Sequence, residues 1–309
     1  HVLFGISRYH KKHMKVSVVI PSCNRWTSLK RCLAALAIQT RLPDEVIVVE
    51  NAVRKHYPIA RSEFKNLKIH HVLEKTPGKS TTRNMGIMKA AGEIIAFLDD
   101  DCEPVTHWLE KICEPFTQKK IVAALGVSEE KVTSLLMETY LFQYEKFFLQ
   151  LRIDKSTRRV TCGAALNTRN CAVRRKFLSE KNIAFDERYN EYLFAEDADF
   201  GEQIEKAGGD MVYSPSAIVV HNEQANFLSL IKKKFLNGRA MFVLQKKGIF
   251  HKRDVERNKS LRIFQRISQL LEGKSLWQSI CVIFFLNSIF WSYRLGYNLE
   301  RMKHVFQRV

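Results

Sequence analysis

The feature that most limits the fold is a set of short runs that stay apolar at nearly every position. Lys15–Ile20 (KVSVVI), Glu45–Val49 (EVIVV) and Glu93–Leu98 (EIIAFL) are rich in β-branched residues and poor in polar ones. A strand wetted on one face alternates apolar with polar, whereas a strand covered on both faces does not. Helical patterns lie between these runs. Thr27–Ile38 places Leu29, Cys32, Leu33 and Leu36 on one face, and Ser80–Ala91 follows a further strand at Leu67–Val72. Strands alternating with helices predict the α/β class, a doubly wound, mostly parallel sheet. The pattern continues with a helix over Thr106–Phe116, a strand over Ile121–Val127 and an aromatic-rich helix over Met137–Leu151. A helix over Ala195–Ala207 is closed by Gly208 and Gly209, and two short strands, Val212–Tyr213 and Ala217–Val220, flank Pro215.

Charge divides the chain. Of a net +18, residues 223–309 hold +12, from 17 basic and 5 acidic side chains. A basic region that meets an anionic surface accounts for such a split, and a general affinity for nucleic acid does not, so no nucleic-acid partner is expected. Phe227–Gln245 and Arg253–Leu271 read as basic amphipathic helices, with clusters at Lys232, Lys233, Lys234, Lys246, Lys247, Lys252 and Arg253. Ser275–Tyr293 carries no charge, has Trp277, Trp291 and Tyr293 near its ends, and is bounded by Lys274 and Arg294. It is borderline for a spanning helix and suits one that lies in a single leaflet, the other reading being a buried core helix. The expected division is an extension over 1–13, a catalytic domain over 14–222 and a basic, helical, membrane-associating region over 223–309. Seven scattered cysteines without a CxxC pair read as reduced thiols.

In an open parallel sheet, ligands bind beyond the carboxyl ends of the strands. After the first strand stand Pro21, Ser22, Cys23, Asn24 and Arg25, with no GxGxxG, which argues against a dinucleotide site. After the second come Glu50 and Asn51, and after the strand at Glu93–Leu98 come Asp99, Asp100 and Asp101. Two like charges 4 Å apart repel by about 4 kcal/mol at an effective dielectric of 20, so three adjacent carboxylates call for a cation or raised pKa values. Oxygen donors suit Mg2+ or Mn2+, and a solvated acidic turn is the plainer alternative. Glu196, Asp197 and Asp199 open a helix, where carboxylates also serve simply as favourable first-turn charges. His221 ends a strand and is a candidate nitrogen ligand. Lys79, Arg83 and Asn84 begin a helix suited to phosphate or ribose, although Leu73 stands where a P-loop needs glycine.

In order, these stretches resemble the family 2 glycosyltransferases, inverting enzymes of the GT-A fold. The match runs through VSVVIPSCNR (16–25), EVIVVEN (45–51), TTRNMGIMKAAGEIIAFLDDDCEP (81–104), CGAALNTRNCAVRR (162–175), FAEDADFGEQIEKAG (194–208) and YSPSAIVVH (213–221). The resemblance implies a nucleotide pocket lined by Pro21, Asn24, Arg25, Glu50, Arg83 and Asp99, where Glu50 replaces the family's usual Asp. It implies that Asp101 and His221 hold Mn2+ or Mg2+ and that Asp197 is the general base. Asp100, Cys162, Gly163, Asn170 and Glu196 are expected around the donor and acceptor sugars. The QxxRW signature of processive synthases is absent, which suggests transfer of one or few sugars. A nucleoside-diphosphate-sugar donor, a UDP-sugar first, and a glycan or lipid-linked acceptor at the cytoplasmic face of a membrane are the expected partners. The rival readings are a sugar-phosphate nucleotidyltransferase, which needs a Gly-rich basic turn where PSCNR stands, and a non-catalytic membrane- or nucleic-acid-binding module.

Overall fold

The computed structural model describes residues 14–51, 63–144, 158–192, 195–222, 226–249, 267–268 and 270–306. The extension over 1–13, nearly all of the expected helix Arg253–Leu271, and Lys252 and Arg253 lie outside the described residues.

Eight strands form one sheet: β1 (Val16–Ser22), β2 (Glu45–Glu50), β3 (Ile69–Leu73), β4 (Ile94–Leu98), β5 (Cys102–Pro104), β6 (Ile121–Glu130), β7 (Asn170–Arg174) and β8 (Asp210–His221). Their order is β3-β2-β1-β4-β7-β6-β8-β5. β1 pairs in parallel with both β2 and β4, so the chain winds outward to β3 and then returns to the far side of β1. That reversal opens a crevice beyond the carboxyl ends of β1 and β4. The β7 strand runs antiparallel between β4 and β6, and β5 runs antiparallel to β8, so the sheet is more mixed than the apolar runs alone predict.

The unbroken apolar runs are explained by burial on both faces. Val18, Ile20, Val46, Val48, Ala96 and Leu98 pack with α1 (Trp26–Ala37) and α3 (Trp108–Cys113). Val19, Ile47, Val49, Ile95 and Phe97 enter a second core on the opposite face. There Phe185 and Phe200 stack 4.1 Å apart beside Phe97. α2 (Lys79–Lys89) follows β3, and α4 (Leu135–Tyr144) and α5 (Arg175–Lys181) follow β6 and β7.

The two strands expected around Pro215 are one strand. Its register against β6 jumps between Leu125/Tyr213 and Val127/Ile218, which puts Pro215 in a bulge where no ladder N–H is required. β8 leads from α6 (Ala195–Lys206) to α7 (Phe227–Lys246), and α8 (Leu276–Phe306) ends the described chain. α8 does not stop at Arg294 as expected; it runs on for a total of 31 residues. α7 packs through Ala240, Met241 and Leu244 against Ala195 and Ala198 of α6 and Tyr192 ahead of it. α8 packs on α7 and α4 through Phe285 and Ile289 against Leu230, Met137 and Tyr140. Lys234 and Lys247, two of the lysines expected to meet an anionic surface, face the protein. Lys234 is buried with Nζ 4.8 Å from the Tyr140 ring centroid, and Lys247 bonds to acids described below.

Candidate active site

β4 ends at Leu98 and delivers Asp99, Asp100 and Asp101 to the mouth of the crevice. Each carboxylate meets a cation, and Arg25 serves two of the three. Arg83, buried on α2, donates from Nη2 to Asp99 Oδ1 at 3.1 Å. Burial alone raises the Asp99 pKa, but Arg83 and Lys79 outweigh it and hold the carboxyl below its ordinary range. Asp100 turns inward. It accepts from Ser22 Oγ at 2.7 Å and from Arg25, and is 1% exposed. That burial raises it to about 6 against the pull of Arg25. Asp100 therefore ties the β1–α1 loop to β4 rather than facing a sugar, as expected of it from the sequence. Asp101 Oδ2 accepts from Arg25 Nη1 at 2.8 Å, and its Oδ1 lies 3.4 Å from His221 Nε2. Burial opposes its ionisation, yet His221 and Arg25 hold Asp101 well below the carboxylate range.

His221 reaches Asp101 because β8 ends beside β5, where His221 is paired with Cys102. Burial lowers its pKa, but hydrogen bonds to Asp101 and Glu130 prevail and hold it up at about 9. The Nδ1–H donates to Glu130 Oε2 at 2.5 Å, and Arg169 Nη1 donates to Glu130 Oε1 at 2.7 Å. Glu130 and Arg169 were not singled out in the sequence. Glu130 lies 91 residues from His221, and only the β6/β8 register sets the two side by side.

The second acidic group opens α6. Arg83 Nη1 donates to Glu196 Oε1 at 2.9 Å and lies 3.6 Å from Asp197 Oδ1. Glu196 is 2% exposed, a partner of Arg83 instead of a sugar contact. Asp197 keeps 23% of its side chain exposed. It accepts from Thr168 Oγ1 at 2.6 Å and from Thr168 N at 3.3 Å. Enclosure pushes its pKa up to about 6, with Arg83 opposing and Glu196 adding to the rise. Ser80 Oγ, Arg83 Nε and Glu196 Oε2 are buried without a hydrogen bond, which is unspent polar capacity around this bridge.

The other expected residues fall into two groups. Pro21 is the penultimate residue of β1, opposite Val49, Asn24 is exposed with φ 52°, and Glu50 ends β2 with Oε2 2.9 Å from His71 Nε2. All three stand at the rim of the crevice. Asn170, expected near the sugars, is a core residue. Its Oδ1 accepts from Trp108 Nε1 at 2.7 Å, and its Nδ2 donates to the Val127 and Ala217 carbonyls at 2.7 and 2.8 Å. Gly163 lets a 3-10 turn (Gly163–Ala165) cross α6, since a Cβ there would stand 2.2 Å from the Gly201 carbonyl oxygen. Gly163 N donates to Glu205 Oε2 at 2.5 Å, and Cys162 lies beside Glu202 and Glu205 on that flank of α6.

The donor set fits a hard divalent cation. Asp101, Cys102 and His221 offer ligand atoms within 4.8 Å of one another. Burial and the carboxylates around it hold the Cys102 thiol well above its usual range and so protonated. That leaves one carboxylate and one imidazole, a set suited to Mn2+ or Mg2+.

The Glycosyl transferase family 2 model matches residues 17–181. Over 102 residues the chain is 38% identical to the glycosyltransferase AglE of Haloferax volcanii, covering 31% of this chain and 33% of that protein. It is 26% identical over 239 residues to a pre-mycofactocin glycosyltransferase of Mycobacterium tuberculosis, covering 73% of this chain and 46% of that one. The aligned regions thus span a third to about half the length of these curated relatives. In fold the chain is similar to the mannosyltransferase PcManGT from Pyrobaculum calidifontis, solved with GDP-Man and Mn2+. The TM-score is 0.58 at 16% identity, over 93% of this chain and 84% of that one.

Proposed function

The chain belongs to glycosyl transferase family 2, and from that premise we propose that it moves a sugar from a nucleoside diphosphate to an acceptor hydroxyl with inversion at the anomeric carbon. The observation that carries this reading is the Arg83 bridge, which joins the end of β4 to the first turn of α6 and so gathers Asp99 and Asp197 around one guanidinium.

In this reading residues 14–222 are the catalytic unit and 223–309 its membrane-associating part. Pro21, Asn24, Arg25, Glu50, Arg83 and Asp99 receive the nucleotide. A UDP-sugar is the first donor to test and a GDP-sugar the second, since the similar structure from Pyrobaculum calidifontis holds GDP-Man. Asp101 and His221 would hold Mn2+ or Mg2+, and His221 must release a proton to do so. A bound divalent ion supplies Lewis-acid stabilisation of the departing diphosphate. Asp197 takes the acceptor proton. With its pKa at about 6 it is ionised at neutral pH yet basic enough to accept, which is the compromise general-base catalysis needs. Thr168 fixes the carboxylate by donating to both of its oxygens. The acceptor is a glycan or lipid-linked hydroxyl at the cytoplasmic face of a membrane, where the +12 of residues 223–309 meets anionic lipid.

The test is a pair of variants. Asp197→Asn keeps donor and Mn2+ binding by thermal shift and loses transfer; Asp101→Ala loses the Mn2+-dependent part of donor binding. Full turnover in the first, or an unchanged manganese titration in the second, removes the assignment of that residue.

A further inference from the structure

α8 is apolar on two faces, and among the described residues only one is buried. Its inner face, at Val282, Phe285, Ile289, Gly296 and Glu300, is buried. Its outer face carries Trp277, Ile280, Phe284, Phe290, Trp291 and Leu295. Of these, Trp277 is 73% exposed, Phe284 64% and Trp291 65%. At 3.6 residues per turn these six fall on one half of the helix, opposite the buried stripe. A contiguous apolar face of this size on a monomer marks a binding surface.

We infer that this outer face lies along an anionic lipid bilayer, sunk into one leaflet, and that α8 does not cross it. The inference deepens the membrane-associated reading above and rests on it. α8 is long and apolar enough to cross a membrane by length and composition alone, with mean hydropathy 1.3. Its inner face rules that out. Gly238 and Gly296 bring α7 and α8 together until a Cβ on either would lie within about 2.1 Å of the other helix's backbone. Arg239 Nε donates to the buried Glu300 Oε2 at 2.7 Å, and Tyr192 donates to Glu300 Oε1 at 2.8 Å. A crossing α8 would drag this ion pair and the lysines of α7 into hydrocarbon, where charged side chains are costly.

Lying in the interface removes the conflict. Trp277 and Trp291 suit the headgroup boundary. Asn287 and Ser288, near the middle of the helix, donate to the Ile283 and Phe284 carbonyls at 2.9 Å, which meets part of their hydrogen-bonding need within the helix. Arg294 and Arg301 are exposed where the uncharged stretch ends, in position for lipid phosphates. A second copy of the chain would also cover the face, but it would set two +12 regions against each other, whereas an anionic surface neutralises them.

The test uses the full chain and needs no sugar donor, so it reads out even if glycosyl transfer fails. Vesicles of phosphatidylcholine, with or without phosphatidylglycerol, carry bromine either near the head of the acyl chain or near its end. Tryptophan emission is expected to be quenched most by bromine near the head, and only when phosphatidylglycerol is present. Ile280→Glu, at a 48% exposed position of the outer face, is expected to weaken vesicle binding about tenfold or more, with thermal stability unchanged. Stronger quenching from the chain end, equal binding to neutral vesicles, or a lipid-free dimer that Ile280→Glu splits would each overturn the inference.

Discussion

Arg83 Nη1 stands 3.6 Å from Asp197 Oδ1 while bonding Glu196, and Nη2 holds Asp99, so one buried cation neutralises acids from the end of β4 and the start of α6. Removing it strands those carboxylates in a site with Arg83 2% exposed, and breaking a buried ion pair from one side costs about 3–5 kcal/mol. Arg83→Gln is expected to lower stability on that scale in urea unfolding and to abolish donor binding. Arg83→Lys, which keeps the charge but not the fork, is expected to recover stability more than binding. A fully stable Arg83→Gln protein contradicts the bridge.

As the proposed general base, Asp197 is also expected to set a pH limb. Its folded pKa is about 6, raised first by enclosure, so below pH 6 the base is increasingly protonated. At saturating manganese, kcat/KM is expected to be flat above about pH 6 and to fall about tenfold per unit below it. Thr168 stabilises the charged form through its 2.6 Å hydrogen bond. Thr168→Val therefore raises the pKa further and moves the limb to higher pH. A limb near the ordinary aspartate value of about 3.9, or one that Thr168→Val leaves in place, refutes the role.

Glu130 is expected to act on metal affinity without touching the metal. It accepts from His221 Nδ1 and so presents Nε2 to Asp101. Outer partners of this kind change metal affinity by roughly 10- to 100-fold. Glu130→Gln should weaken Mn2+ binding on that scale, read as free manganese by electron paramagnetic resonance in the absence of donor, with the fold intact. Unchanged affinity means that Glu130 supports only the sheet edge.

Legibility followed range. Runs such as EVIVV and EIIAFL announced buried strands because two-sided burial leaves an unbroken apolar signal in a few residues, and both are buried as expected. β7 was not read as a strand because Asn170–Arg174 is short and bounded by polar residues, and its place between β4 and β6 comes from pairing far apart in sequence. Among site residues, the three aspartates and Asp197 stood out as local clusters of charge. Glu130, Thr168 and Arg169 did not, because their meaning depends on register and on a neighbouring helix. Asn170 misled for the opposite reason: an amide in a motif looks available, and only the structure reveals that Trp108 and two carbonyls occupy it.

Lys247 lies just past α7 and ties it to α6, the helix that carries Asp197. Its Nζ lies 3.0 Å from Asp186 Oδ2 and 3.0 Å from Asp199 Oδ1, two residues beyond Asp197. The pair is partly exposed, so its direct contribution to stability is small, about 1 kcal/mol or less. Its effect should appear in position. Lys247→Met is expected to lower kcat several-fold while leaving Mn2+ affinity unchanged, since it touches neither Asp101 nor His221. Loss of both together would mean general unfolding.

The glycine crossing offers a sharper separation of the two parts of the chain. A Cβ at Gly296 would sit 2.0 Å from the Phe235 carbonyl oxygen, and backbone cannot step aside as a side chain can. Gly296→Ala must push α8 off α7, and overpacking of this kind costs about 1–3 kcal/mol. The strain should be spent locally, because α8 meets the rest of the protein chiefly through α7 and α4. Hydrogen exchange is expected to accelerate along α7 and α8, while the β1–β4 strands and Mn2+ binding stay as they were. Asn298→Ala, at an exposed position on the same helix, is expected to change neither. Acceleration spread evenly over the sheet would mean that α7, α8 and the sheet unfold as one body.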